Sequence, residues 1–418
     1  MSTIMKIACR NMLRHRGRTI RSALTIAVAL AFFIYFDSLY SGMDRGAINN
    51  MIDLSTAAVK IHTEEYAQEK QSFPLDYGLP ARQKFQEILS DNKRVKGITP
   101  RTQFLGELSN YTESVPVSGT VISPESDSTV FELTKYLEGS YFSASSTREI
   151  ILGKKLAQEM GVGVGDFITL YALTRYESRN ADDFEVVGML NTTDPAINNS
   201  TVMITYEVAD NFLDLEGLIT EMDIGIHHRV NLGDMIRDAA GIENTLSEEL
   251  DNAHVRTFKQ MGASFFEVTK QKKAYSYLFL GVILIIAAVG IFNTVLMSVY
   301  ERIREIGVLR AHGLRPKEVI TMFVFEGFLT GIAGSTLGVA LGTIANLQLT
   351  VYGLSLDKMS GSVGEASGMP FWGTIHGQWN IETFVVAFIF GTAVATVAGI
   401  LPARKGGSIP ITSALRYV

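Results

Sequence analysis

Four long apolar runs, separated by polar stretches of very unequal length, set the pattern of this chain. They fall at residues 20–40, 277–299, 322–349 and 381–401. Each can cross the ~30 Å hydrocarbon core of a bilayer as one helix. Between the first and second runs, from 43 to 270, long apolar stretches vanish and short periodic ones alternate. Residues 81–92 repeat at helical spacing, with Phe85, Ile88 and Leu89 on one side. Residues 98–108, 115–122 and 167–172 read as strands. A second helix is expected over 231–253, opened by Asn231. The fold class predicted is an α-helical membrane protein with four transmembrane helices and a large mixed α/β extracytoplasmic domain between the first and second.

Composition sharpens this division. The chain has 418 residues, 47% hydrophobic and 19% charged, with a net charge of −6 and a mean hydropathy of +0.18. That average blends very apolar blocks with a polar middle. An acidic balance argues against a nucleic-acid partner, which calls for a basic patch. The single cysteine, Cys9, excludes an internal disulfide framework. The middle domain, roughly 230 residues, is large enough to stand on its own core. His227 and His228 are adjacent, with no cysteine cluster near, which argues against a metal site; on a strand they would point to opposite faces.

Charge sets the expected topology. Lys6, Arg10, Arg14, Arg16, Arg18 and Arg21 open the chain without an acid among them, and Met5, Ala8, Met12 and Leu13 form an apolar stripe. This predicts a cytoplasmic amphipathic helix over 1–19 lying on anionic lipid. A cleaved signal peptide is the rival reading, but the following run is too long and lacks a small-residue cleavage site. Cations recur at Arg302, Arg304, Arg310, Arg315 and Lys317 and at Arg404 and Lys405, whereas 350–380 holds only Lys358. The positive-inside rule then puts both termini in the cytoplasm. The division expected is transmembrane helices at 20–42, 273–299, 321–349 and 381–402, an extracytoplasmic domain at 43–272, a cytoplasmic segment at 300–320, an outer loop at 350–380 and a cytoplasmic tail at 403–418.

Three features invite chemistry. The run Gly153-Lys154 lacks the flanking residues of a phosphate loop, and Gly161, Gly163 and Gly165 make a poor dinucleotide fingerprint. Strand, helix and glycine turn is the reading of 148–166. The third span carries Gly327, Gly331, Gly334, Gly338 and Gly342 along one face, and the fourth carries Gly391, Ala395 and Gly399. Small residues let helix backbones approach closely in lipid. Asp37, near the outer end of the first span, is expected to reach water. Asn293 and Glu326 are polar residues within spans, each expected to face another helix, with Glu326 close enough to the cytoplasmic end to reach water. No nucleophile and base pair, nor paired carboxylates, stand at a recognisable spacing.

The charge-dense stretch 300–314 sits between the second and third runs. Ile303, Ile306, Leu309 and Leu314 share a helical face, with Glu301, Arg304 and Glu305 elsewhere. By pattern alone this is either a helix parallel to the membrane or a basic loop that orients the spans. Its residues Glu301-Arg302-x-Arg304-Glu305-Ile306-Gly307-x-Leu309-Arg310-Ala311-x-Gly313 resemble the cytoplasmic coupling segment of FtsX/MacB-type ABC transporter permeases. Arg10-Asn11-x-Leu13-Arg14 resembles the start of the same family, and Leu401-Pro402-Ala403-Arg404-Lys405 its close. The helix, Gly165-Asp166 and strand of the middle domain look like lipoprotein-releasing permeases of the LolC/LolE type.

The resemblance implies a non-catalytic permease subunit that docks on a separate ATPase dimer through Glu301, Arg302, Arg304, Glu305 and Arg310, with Gly307 and Gly313 permitting close approach. ATP and Mg would bind that partner, and this chain would hold no cofactor or metal. Further partners implied are a second permease subunit, membrane lipid, a lipoprotein cargo and a periplasmic carrier, in a bacterial inner membrane. The alternatives are efflux of peptides or drugs through a tripartite pump, and transmembrane activation of a cell-wall hydrolase.

Overall fold

The computed structural model describes residues 5, 8, 10, 14, 16–69, 72–79, 82–89, 92–143, 148–229, 231–250, 253–355 and 374–415. The chain divides into two compact units, one made of Met1–Asp44, Val268–Ser355 and Thr374–Val418 and the other containing Arg45–Glu267. Most of the expected helix at 1–19 lies outside the described residues, as does much of the expected loop at 350–380.

The first unit is a bundle built on four long helices, Arg16–Met51, Ala263–Glu301, Pro316–Tyr352 and Ile381–Ser408. All four are long and apolar enough to cross a membrane. Each runs past its expected span, because polar residues at the ends of an apolar run continue the helical hydrogen-bond ladder. Ile26, Leu30, Phe33 and Ile34 of the first helix, Leu280, Leu284 and Ile291 of the second, and Ala387 and Ala395 of the fourth form a common buried core. The five glycines of the third helix serve two neighbours rather than one. A Cβ at Gly338 would lie 2.9 Å from the Leu30 Cβ, and one at Gly334 would lie 2.9 Å from the Ala23 carbonyl oxygen. At Gly342 it would meet Ile34 at 2.8 Å. Gly331 and Gly327 instead face the fourth helix, where a Cβ would come 2.9 Å and 3.2 Å from Ala395 atoms. Backbones in such contact hold together by dispersion where lipid removes the hydrophobic drive.

Polar residues in this bundle have specific places. Asp37 is half-buried and accepts a hydrogen bond from the Thr383 hydroxyl at 2.6 Å. Asn293, expected to face another helix, is exposed on the bundle surface. Glu326 is only 9% exposed, so it does not reach freely into water as expected.

The second unit is a ten-stranded mixed sheet with helices packed on it. Its strands are β1 (Val59–Thr63), β2 (Val95–Ser109), β3 (Ser114–Ile122), β4 (Leu137–Gly139), β5 (Glu149–Gly153), β6 (Phe167–Leu173), β7 (Arg179–Leu190), β8 (Thr201–Thr205), β9 (Glu221–Ile226) and β10 (Ala253–Thr257). They lie in the order β10-β1-β9-β2-β3-β8-β5-β7-β4, with β6 pairing to β2 and β7. The strand β2 joins two lobes. Its first half pairs with β9 from Val95 to Arg101, and its second half pairs with β3 from Arg101 to Ser109.

Each lobe has its own core. In one, Val59, Ile61, Met222, Ile224 and Ile226 pack beneath Met235, Ala239, Ile242 and Leu246, a stripe at helical spacing on Leu232–Glu249. In the other, alternate residues of β2, β3, β5, β6, β7 and β8 point inward, among them Phe104, Leu108, Val121, Ile150, Leu170, Phe184 and Val202. The sequence run 148–166 is β5, the helix Lys154–Glu159 and a glycine turn with Gly161 and Gly165 at positive φ.

Three sequence readings are corrected in detail. The helix expected over 81–92 spans Arg82–Leu89. The helix expected to reach Ala253 ends at Glu249, and Ala253 opens β10. His227 and His228 lie beyond the end of β9 rather than on a strand, and His228 Nε2 meets Asp53 at 2.8 Å.

Charges are buried where the lobes meet. Lys60 and Asp223 face each other across β1 and β9, and Arg101 and Glu221 across β2 and β9. Lys60 Nζ lies 3.1 Å from Asp223 Oδ1 and also donates to Glu221. Arg101 binds Asp127 with two parallel bonds of 2.8 and 3.0 Å and lies 3.3 Å over the Phe131 ring. All five groups are less than 5% exposed. Burial opposes the Lys60 ammonium, but Asp223 and Glu221 outweigh it and raise its pKa. Burial pushes Asp223 up to about 6, with the Lys60 ammonium and the Arg101 guanidinium opposing and the Glu221 charge adding to the rise.

Candidate coupling segment

The second long helix stops at Glu301 because Arg302 leaves helical geometry, at φ −114° and ψ 15°. A new helix then runs Ile303–Ala311. The continuous helix expected over 300–314 is thus broken once near its start. It ends before Gly313, whose φ of +99° is open to glycine and strained for other residues. Pro316 starts the third long helix, with the Glu318 carboxylate accepting from the Arg315 backbone N–H at 2.7 Å.

The short helix has two unlike faces. Ile303 and Ile306 are buried, and Ile306 joins Val299, Val319, Met322, Phe323 and Ala403 in a core at this end of the bundle. Gly307 is also buried. Glu301, Arg304, Glu305, Val308, Ala311 and His312 are exposed.

The expected docking set therefore divides. Glu301, Arg304 and Glu305 present themselves outward. Arg302 turns inward and is 5% exposed, with Nε donating to Glu305 at 3.0 Å and Nη1 lying 3.7 Å from the Glu326 carboxylate. Its guanidinium lies 5.7 Å from the Phe323 ring centroid. Arg310 is half-buried and donates to the Ile409 carbonyl, fastening the segment near the short helix Ile411–Leu415. Arg302 and Arg310 thus anchor the segment from within. The spacing carried a signal for this, because Arg302 and Arg310 stand four residues either side of Ile306, on the apolar face of the helical repeat. Arg14 adds an exposed contact, 3.8 Å from Glu305. The arrangement is a charged ledge on an apolar seat.

Comparison with known proteins gives this geometry a context. Residues 277–411 match the model of the FtsX-like permease C-terminal family. Residues 19–232, half of the chain, match that of the MacB-like periplasmic core domain. The ABC transporter permease YtrF of Bacillus subtilis is 24% identical, with 97% of each chain covered. The lipoprotein-releasing system transmembrane protein LolC of Neisseria meningitidis is 24% identical over 64% of this chain, and the chain spans 65% of that relative's length. Among solved structures, the periplasmic region of MacB from Actinobacillus actinomycetemcomitans covers 52% of this chain and is itself 96% covered, at 12% identity and a TM-score of 0.35.

Proposed function

This chain belongs to the family of ABC transporter permeases that combine a MacB-like periplasmic core domain with an FtsX-like C-terminal module, and from that premise we propose that it couples ATP hydrolysis by a separate partner to movement of its outer domain. The observation that carries this reading is the two-faced helix Ile303–Ala311, held inward by Arg302, Ile306 and Arg310 and showing Glu301, Arg304 and Glu305 to water. An ATPase dimer, with ATP and Mg in its own sites, would push on those three residues. The distribution of Lys and Arg supports a cytoplasmic place for the ledge and for both termini. A second permease subunit, identical or related, would complete the path.

The cargo we propose is a lipoprotein, extracted from the outer leaflet and passed to a periplasmic carrier. The similarity to LolC supports that choice. Affinity purification of the tagged chain from native membranes tests both levels. An ATPase, a second permease and acylated proteins are expected together. Retention of an adaptor and outer-membrane channel instead would favour efflux, and a cell-wall hydrolase would favour signalling; absence of any ATPase would overturn the coupling reading. In the same assay, Glu301→Lys with Glu305→Lys should abolish ATPase retention, and Glu301→Lys alone, which leaves the Arg302–Glu305 bond in place, should weaken retention with thermal stability held within about 0.5 kcal/mol.

A further inference from the structure

Next to the Arg302–Glu326 pair, a cavity of about 30 Å3 opens among the first, second and third long helices. Its walls combine apolar Ile291, Val295 and Phe323 with a concentration of hydroxyls, from Thr19, Ser22, Thr294, Ser298 and Thr330, and with the Glu326 carboxylate. Two of these hydroxyls have spent their protons locally: Thr294 donates to the Gly290 carbonyl and Thr330 to that of Glu326, each at 2.8 Å. Their oxygens remain acceptors. Ser298 differs. Its hydroxyl is buried, the residue is 2% exposed, and its oxygen makes no hydrogen bond among the described residues. A buried hydroxyl in that condition costs free energy unless something else in the cavity meets it.

We propose that this cavity is a water-binding site, whose occupant hydrogen-bonds Ser298 and hydrates the Glu326 carboxylate. Size sets the class of ligand. A site needs about 10–15 Å3 of such space for one water, so there is room for one or two and for nothing as large as a lipid headgroup. Charge decides between water and a metal cation. The Arg302 guanidinium, 3.7 Å from Glu326, already supplies the positive charge, and a second cation beside it would be repelled. A neutral ligand that both donates and accepts fits the mixture of carboxylate, spent hydroxyls and unspent hydroxyl. Water there meets the hydrogen-bonding capacity of the Ser298 hydroxyl and the Glu326 carboxylate among apolar helices, which a dry site would leave at a cost. The site stands apart from the transport reading, since it needs no ATPase and no cargo.

Radiolytic hydroxyl labelling of the full-length chain in nanodiscs, with rapid mixing into 18O water, tests this directly. Radicals formed from a bound water mark the side chains beside it. Phe323 and Phe33 are almost equally buried, at 1% and 2% exposed, but only Phe323 lines the cavity. Phe323 should be labelled several-fold faster than Phe33. Ser298→Val fills the space with methyl groups and should bring the Phe323 rate down to that of Phe33. Equal rates in the unaltered chain would overturn the proposal, and that comparison requires no variant to fold. A fast Phe323 that Ser298→Val leaves unchanged would also overturn it. So would a Phe323 rate that changes when sodium is replaced by N-methylglucamine, because that outcome assigns the site to a cation.

Discussion

The bundle and the outer domain solve the same problem, polar groups inside a fold, in opposite ways. The outer domain buries five charges in one cluster, where Lys60 of β1, Arg101 of β2, Glu221 and Asp223 of β9 and Asp127 of the helix Pro124–Val130 pair with one another. Its lobes are filled by large apolar side chains such as Phe104, Phe184 and Met222. The bundle keeps its charges near the ends of its helices and brings backbones together over Gly334, Gly338 and Gly342. The contrast follows from the solvent. Water drives Leu and Phe into a core but gives nothing for moving them between lipid and protein, so close backbone contact takes over in the spans. A buried ion pair is tolerated in either place only when its geometry is complete.

Breaking the domain's ionic junction should have the largest effect. Arg101→Met leaves Asp127 charged and 1% exposed, and should cost about 3–5 kcal/mol. Hydrogen exchange in the full-length chain should show β2 and β3 losing protection while the bundle keeps its own. Adding Asp127→Leu should recover most of the loss, because an apolar pair replaces the ionic one. In the bundle, Gly338→Leu forces the first and third helices apart and should cost about 1–3 kcal/mol by overpacking. Thermal unfolding in detergent would register it, with exchange changes confined to the bundle. If both substitutions loosened both units, the contrast would fail.

Acid sharpens it further. The pKa of Asp223 is raised in the folded domain to about 6, above its unfolded value. The folded state therefore holds this proton more tightly, and the contribution of Asp223 to stability is fully present below pH ~4 and lost as pH rises through ~6. Going from pH 7 to 5 should raise the protection of β1 and β9, and Asp223→Asn should remove that gain. Smallest of all is the exposed pair of Arg179 and Glu107, 2.9 Å apart with side chains 66% and 43% exposed. Arg179→Ala should cost below about 1 kcal/mol, and added salt should erase the difference.

The legible parts of this molecule were those where one period or one length dominates. The four apolar runs announce themselves, and β3 lies within a residue of its expected start because Val115, Val117, Gly119 and Val121 alternate cleanly with polar positions. The edges of the helices were not legible, since nothing in the polar residues 43–51 breaks the first helix. Strand β1 was missed because Lys60 and His62 look like surface residues; each is buried by a partner more than 160 positions away, at Asp223 and His254. At the candidate coupling segment the resemblance treats all five charges alike, whereas the spacing, with Arg302 and Arg310 each four residues from Ile306, separates the two that turn inward from Glu301, Arg304 and Glu305. What the spacing does not show is the partner that receives Arg302, because Glu326 belongs to another helix.

That long reach of β1 also bears on how the chain is made. Val59–Thr63 needs both Glu221–Ile226 and Ala253–Thr257 as neighbours, so the lobe it belongs to cannot close until nearly the whole domain has left the ribosome. The other lobe draws its strands from the interval between, and can assemble earlier during synthesis. Non-local pairing of this kind is slow, and a strand waiting for its partners is exposed to mispairing with other chains. By then the first apolar helix has already been delivered to the membrane, so β1 waits on a chain tethered to the bilayer rather than one free to diffuse.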